Sequence, residues 1–115
     1  MPIWTIGSVE AEPSVELLRW KIFEVEESAC HFVGVDSLDF TGRVSSAVVE
    51  FDAVAMRGVT QSGRVYQLLG NPGDSEQATY VWDRWCAVNS VRAFEDVTQC
   101  VVAGARDVLA GREPD

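Results

Sequence analysis

Residues 42–70 read GRVSSAVVEFDAVAMRGVTQSGRVYQLLG, and the reading of this stretch decides the fold. Neighbouring residues on a strand face opposite ways, so an apolar set keeps one parity along each strand. Ala47, Val49 and Phe51 are odd-numbered, whereas Val54 and Met56 are even. One extra residue near Asp52 and Ala53, a β-bulge, puts both sets on one face of a bent strand. A turn at Gln61, Ser62 and Gly63 returns the chain, and Val65 and Leu69 then fall on that same face in a loop of either two or four residues. The segment is therefore expected to be a long hairpin. Its outer face would carry Arg57, Val59, Arg64, Tyr66 and Leu68.

Working back toward the start, SVELLRWKIFEVEES fits either a helical stripe or a strand. Its β-branched and aromatic content favours the strand, with Trp20 and Ile22 on one side and Lys21, Phe23 and Val25 on the other. The similar run from His31 to Val35 makes a second hairpin with it. Ile3, Trp4, Thr5 and Ile6 are also strand-type residues, cut off by Glu12 and Pro13.

Beyond Asn71, Pro72 and Gly73 the period changes. Ala78, Val81, Trp82, Trp85 and Val88 lie within a stripe roughly 120° wide on a helix. Asp74 with Gln77 forms a candidate capping box, and Asn89 with Ser90 closes the helix. Asp96 with Gln99 repeats the pattern, so a second helix is expected from Val97 toward Ala110, with Gly104 inside it and Gly111 as its stop. The expected fold is a single α+β domain over residues 1–115. It has a mostly antiparallel sheet of about five strands within residues 3–70, followed by two helices packed on one face. Trp82 and Trp85 are expected to seal the inner face of the long hairpin.

The chain has 115 residues, of which 47% are hydrophobic and 23% charged, enough apolar material for a core without a metal or disulfide staple. Eighteen acidic against nine basic residues leave a net charge of −9. That balance disfavours direct nucleic-acid or anionic-membrane binding, which needs a basic surface. The N-terminal stretch lacks the basic leader and apolar run of a signal peptide, and no segment is apolar for long enough to span a bilayer. With three irregularly spaced cysteines, the expectation is a cytoplasmic protein with reduced thiols.

Residues that carry chemistry are sparse. Cys30, His31, Cys86 and Cys100 are candidate metal ligands, but adjacent strand residues point to opposite faces, and the paired spacing of zinc sites is missing. No metal and no cofactor is expected. Gly58, Gly63, Gly70 and Gly73 are scattered through turns and form no phosphate-binding loop. Glu24, Glu26 and Glu27, and Asp36 with Asp39, read as solvated clusters rather than a hydrolytic pair. Without a flanking signature for a nucleophilic cysteine, no catalytic residue is assigned. The preferred site is Arg57, Arg64 and Tyr66 on the outer hairpin face, because arginine beside an aromatic ring suits stacking and carboxylate recognition.

The functional expectation is a non-catalytic protein–protein interaction module. Homodimerisation, through a sheet edge or the outer hairpin face, is one way to protect its edges. Two alternatives stand beside it: an acidic nucleic-acid mimic that occupies a DNA-binding protein, and a small enzyme with a pocket around His31.

Overall fold

The computed structural model describes residues 13–104. Its elements, in order, are β1 (Ser14–Val25), β2 (Cys30–Asp36), β3 (Gly42–Val44), β4 (Val48–Asp52), β5 (Arg57–Thr60), β6 (Val65–Leu68), α1 (Glu76–Val88), β7 (Phe94–Asp96) and α2 (Thr98–Val102). The chain is α+β, and its sheet is larger than expected. Among the described residues seven strands form one mixed sheet along the path β3-β2-β1-β6-β5-β4, with β7 pairing β1 off that path. The expected strand at Ile3–Ile6 lies outside the described residues.

The sheet is rolled. β3 and β4 sit at opposite ends of the path, yet only residues 45–47 join them. In a flat sheet those ends would lie about 24 Å apart at the usual strand spacing. The short link spans at most about 14 Å of extended chain, so the sheet must curl to bring them together. Ser45 sits at the corner. Its backbone N–H donates to the Phe32 carbonyl on β2, while the Gln61 N–H beyond β5 donates to the Ala47 carbonyl. Counting β3 and β4 as one bent strand leaves five strands in the roll. Four antiparallel steps make the first and last run the same way, which is why β1 pairs with β6 in parallel, Ser14 opposite Val65 through Leu17 opposite Leu68.

β1 is a strand, as its composition indicated, and it pairs antiparallel with β2 as the expected second hairpin. A bulge between Leu18 and Lys21, with Arg19 at φ +48°, inserts one residue. It shifts the parity, so Val15 and Leu17 before it and Trp20 and Ile22 after it all point into the roll. There they pack with Cys30, Phe32, Val48, Tyr66 and Leu68, and Val97 and Val101 contribute from the C-terminal segment. The Phe32 ring lies 5.9 Å from Phe51 and 5.6 Å from Tyr66.

The long hairpin is corrected in two ways. Its first arm is three strands, because Asp52 caps a tight turn, its carboxylate accepting from the Val54 and Ala55 N–H groups. What parity suggested was a bulge is this turn, and Val54 at its tip is 97% exposed. On β6 the faces are also exchanged, although Phe51 and Met56 pack on the core and Arg57 is exposed as expected. Tyr66 and Leu68 are buried inside the roll, while Val65 and Leu69 are only half-buried. Alternation alone names two faces without saying which one is covered.

The two helices do not share one face. α1 lies outside the roll on β2 and β3, where Ala78 and Trp82 pack on Val33 and Val35. Gly42 permits the approach, since a Cβ there would stand 2.2 Å from the Gln77 carbonyl oxygen. Trp82 and Trp85 therefore cover the outside of β1, β2 and β3, not the inner face of the β5–β6 return of the long hairpin. The N-cap of α1 is Ser75, one residue later than expected, its hydroxyl accepting from the Ala78 N–H. The Asp74 carboxylate is instead drawn to Lys21. Asn89 closes α1 as expected. α2 is a helix of five residues packed near β1, and Gly104, at φ +78°, follows its end rather than sitting within it. The continuation toward Ala110 and Gly111 lies outside the described residues.

Candidate functional site

Between α1, β1 and β7 a row of aromatic rings runs from the buried interior to the surface. His31 is its inner end, 4.5 Å from Trp85 between ring centroids. Trp85 stacks on Trp82 at 5.2 Å and 10°. Trp82 meets Phe23 at 4.9 Å and the edge of Phe94 at 5.2 Å, and Phe23 and Phe94 lie 5.1 Å apart. Such tilted and stacked pairs contribute about 0.5–1.5 kcal/mol each beyond the area they bury. The outer ring, Phe94, is 50% exposed.

Each ring is placed by a different element. Phe23 projects from the α1 side of β1, Trp82 and Trp85 from one face of α1, and Phe94 from β7. β7 is held against β1 with Val25 opposite Phe94, Glu24 opposite Glu95 and Phe23 opposite Asp96. Its far end is fixed by Thr98, whose hydroxyl accepts from the Ile22 N–H at 2.9 Å. Beside Phe94 opens a cleft of about 140 Å³, walled by Phe23, Val33, Ala78 and Trp82. Its rim is charged. Lys21 ion-pairs with Asp74 and lies 3.9 Å from the Asp96 carboxylate, and Arg19 donates to the Asp74 carbonyl at 3.3 Å. The indole N–H of Trp82 is buried with no hydrogen-bond partner among the described residues, an arrangement that costs free energy.

His31 does not sit in a reactive setting. It is 6% exposed, and its Nδ1 donates to the Ser45 carbonyl at 2.8 Å. A carbonyl only accepts, so this contact fixes the Nδ1–H tautomer of the neutral ring. Burial pulls its pKa below the usual histidine value, partly countered by that hydrogen bond. It does not line the cleft beside Phe94. Burial, followed by the nearby Asp83 charge, pushes the Cys86 thiol up, away from the thiolate. Among the described residues no three His, Cys, Asp or Glu side chains gather to hold a metal ion.

Arg57, Arg64 and Tyr66 are not brought together on an exposed face. Arg57 pairs opposite Gln67, whereas Tyr66 pairs opposite Gly58 on the other face of the sheet. Arg57 is exposed, but Arg64 is 8% and Tyr66 2% exposed. Phe94 escaped sequence reasoning because β7, three residues long, is too short for any periodicity to register. The signal that was available is an aromatic residue just ahead of two acids, Glu95 and Asp96, after a closed helix.

No protein-family model, curated protein or solved structure matches the chain. No helix among the described residues is long and apolar enough to cross a membrane.

Proposed function

We propose that the protein is a non-catalytic protein-binding module whose contact surface is the β7 edge together with the aromatic cleft. The observation that carries this reading is Phe94: a half-exposed ring at the open end of a packed aromatic row, on a strand paired along one side only among the described residues. Aromatic anchors backed by a rigid support are the residues on which interface energy concentrates.

The alternatives gain less support. A nucleic-acid mimic needs carboxylates on one face, yet exposed acids occur on β1, β4, α1, β7 and the β2–β3 loop. A pocket around His31 would need the imidazole in a cleft wall. Localisation in the cytoplasm remains part of the proposal, resting on the cysteine usage.

The test is selection of binders from displayed random peptides, followed by amide chemical-shift mapping on the isotope-labelled chain. Shifts centred on Phe94, Phe23 and Trp82, and loss of binding in Phe94→Ser, are the expected outcome. Binders that map elsewhere and ignore Phe94→Ser would overturn it. Sedimentation of the purified chain separates this from homodimerisation, which would show as a concentration-dependent mass.

A further inference from the structure

Resting on the β7 surface as the contact site, we propose that its partner is an extended basic peptide, with arginine or lysine at alternate positions, that adds to the sheet as a strand along the outer edge of β7. The register fixes the hydrogen-bonding pattern. The Val97 N–H donates to the Ile22 carbonyl at 2.9 Å, one step beyond the Phe23–Asp96 pair. In an antiparallel ladder, pairs that exchange hydrogen bonds alternate with pairs that do not. Glu95 therefore turns its main chain toward β1. Phe94 and Asp96 turn their N–H and C=O groups the other way, to an edge along which no strand pairs among the described residues. An incoming strand is offered main-chain bonds at two alternate residues, with the aromatic cleft beside them. That division, backbone for affinity and side-chain pockets for specificity, is the logic of strand addition.

Charge selects the occupant. Glu95 is exposed on the face away from α1, in a chain of net charge −9. A basic side chain in the next strand, opposite Glu95, would pair with that carboxylate. Its neighbours on either side project toward α1, one beside Asp96 and one against Phe94, where an apolar side chain fits the cleft of about 140 Å³. A second copy of the chain is a poor occupant. Antiparallel self-pairing centred on Glu95 would align four carboxylates, Glu24 and Glu95 from each copy, between chains of net charge −9.

The test uses the full chain and a fluorescein-labelled peptide alternating arginine with valine. Fluorescence anisotropy reads binding, and amide hydrogen exchange reads the ladder. Binding should slow exchange at the Phe94 and Asp96 amides and leave Glu95, already turned to β1, little changed. Replacing the peptide's arginines by glutamate, or making Glu95→Lys, should weaken binding at least about tenfold. Both substituted residues are exposed or external, so folding is not at issue. Binding at Phe94 without protection of those two amides, or equal binding of the glutamate peptide, overturns strand addition while the contact site stands. If no peptide of any composition reaches Phe94, both readings fall. Protection of Phe94 and Asp96 that rises with protein concentration alone would assign the edge to a second copy and overturn the basic partner.

Discussion

Ser45→Ala tests the closure of the roll, on which the position of every other element depends. Ser45 is 1% exposed, and its hydroxyl takes the place of a strand partner at the corner between β3 and β4. Its Oγ accepts from the Phe32 N–H at 2.9 Å and donates to the Ser46 carbonyl at 2.6 Å. Alanine removes one atom and leaves little void, so the cost is electrostatic. It orphans a buried backbone N–H, worth about 1–3 kcal/mol, against a whole-domain stability on the order of 5–15 kcal/mol. About 2 kcal/mol is therefore expected, and with it a fall in Tm of roughly 8 °C for a domain of this size. The neighbouring Ser46 hydroxyl accepts from the exposed Ser62 N–H at 3.3 Å, and Ser46→Ala should stay within about 0.5 kcal/mol. Urea unfolding followed by tryptophan fluorescence measures both, with an unchanged denaturant slope showing that the same surface unfolds. Equal midpoints for the two variants would refute the claim that Ser45 substitutes for the ladder.

Other outcomes follow from the same geometry. Asp36 accepts from Arg43 Nη1 and from the Leu38 N–H, both at 2.9 Å, and the two charged side chains are almost fully buried. Asp36→Asn should cost about 3–5 kcal/mol by removing the charge of the buried partner of Arg43; thermal unfolding within 0.5 °C of the parent chain would contradict it. Trp82→Ala should cost about 3–5 kcal/mol, whereas Tyr80→Ala, 59% exposed on the opposite side of α1, should change stability by no more than about 0.5 kcal/mol. Calorimetry of the pair decides whether α1 docks through the ring row. The His31 pKa is lower in the folded chain than the unfolded value of 6.5, so below that pH the unfolded state binds more protons. The contribution of His31 is fully present above pH 6.5 and is lost as pH falls toward the folded pKa. A Tm series from pH 7.5 to 5 should drop less steeply in His31→Phe, and parallel curves would show that the ring titrates alike in both states.

By itself the sequence determined the local geometry along much of the chain. The composition of β1, the run of β2, the turn at Gln61–Gly63 and the stripe of α1 were all legible. Each depends on neighbours within a few residues, where period and turn chemistry act directly. Residues 45–47 show where that reach ends. Nothing in Ser-Ser-Ala announces that one strand leaves β2 and joins β5, because the hydrogen bonds that decide it come from Phe32 and Gln61, distant in the chain. The same holds for the covered face of β6. Tyr66 and Leu68 alternate with Val65 and Leu69, and only closure against Trp20 and Phe32 makes the first pair interior. The same closure buried Arg64 and Tyr66. Phe94 became conspicuous only once β1 and α1 had set the Phe23 and Trp82 rings against it. Tertiary structure decided these points because burial is a property of the space between elements, and a chain read one segment at a time contains no such space.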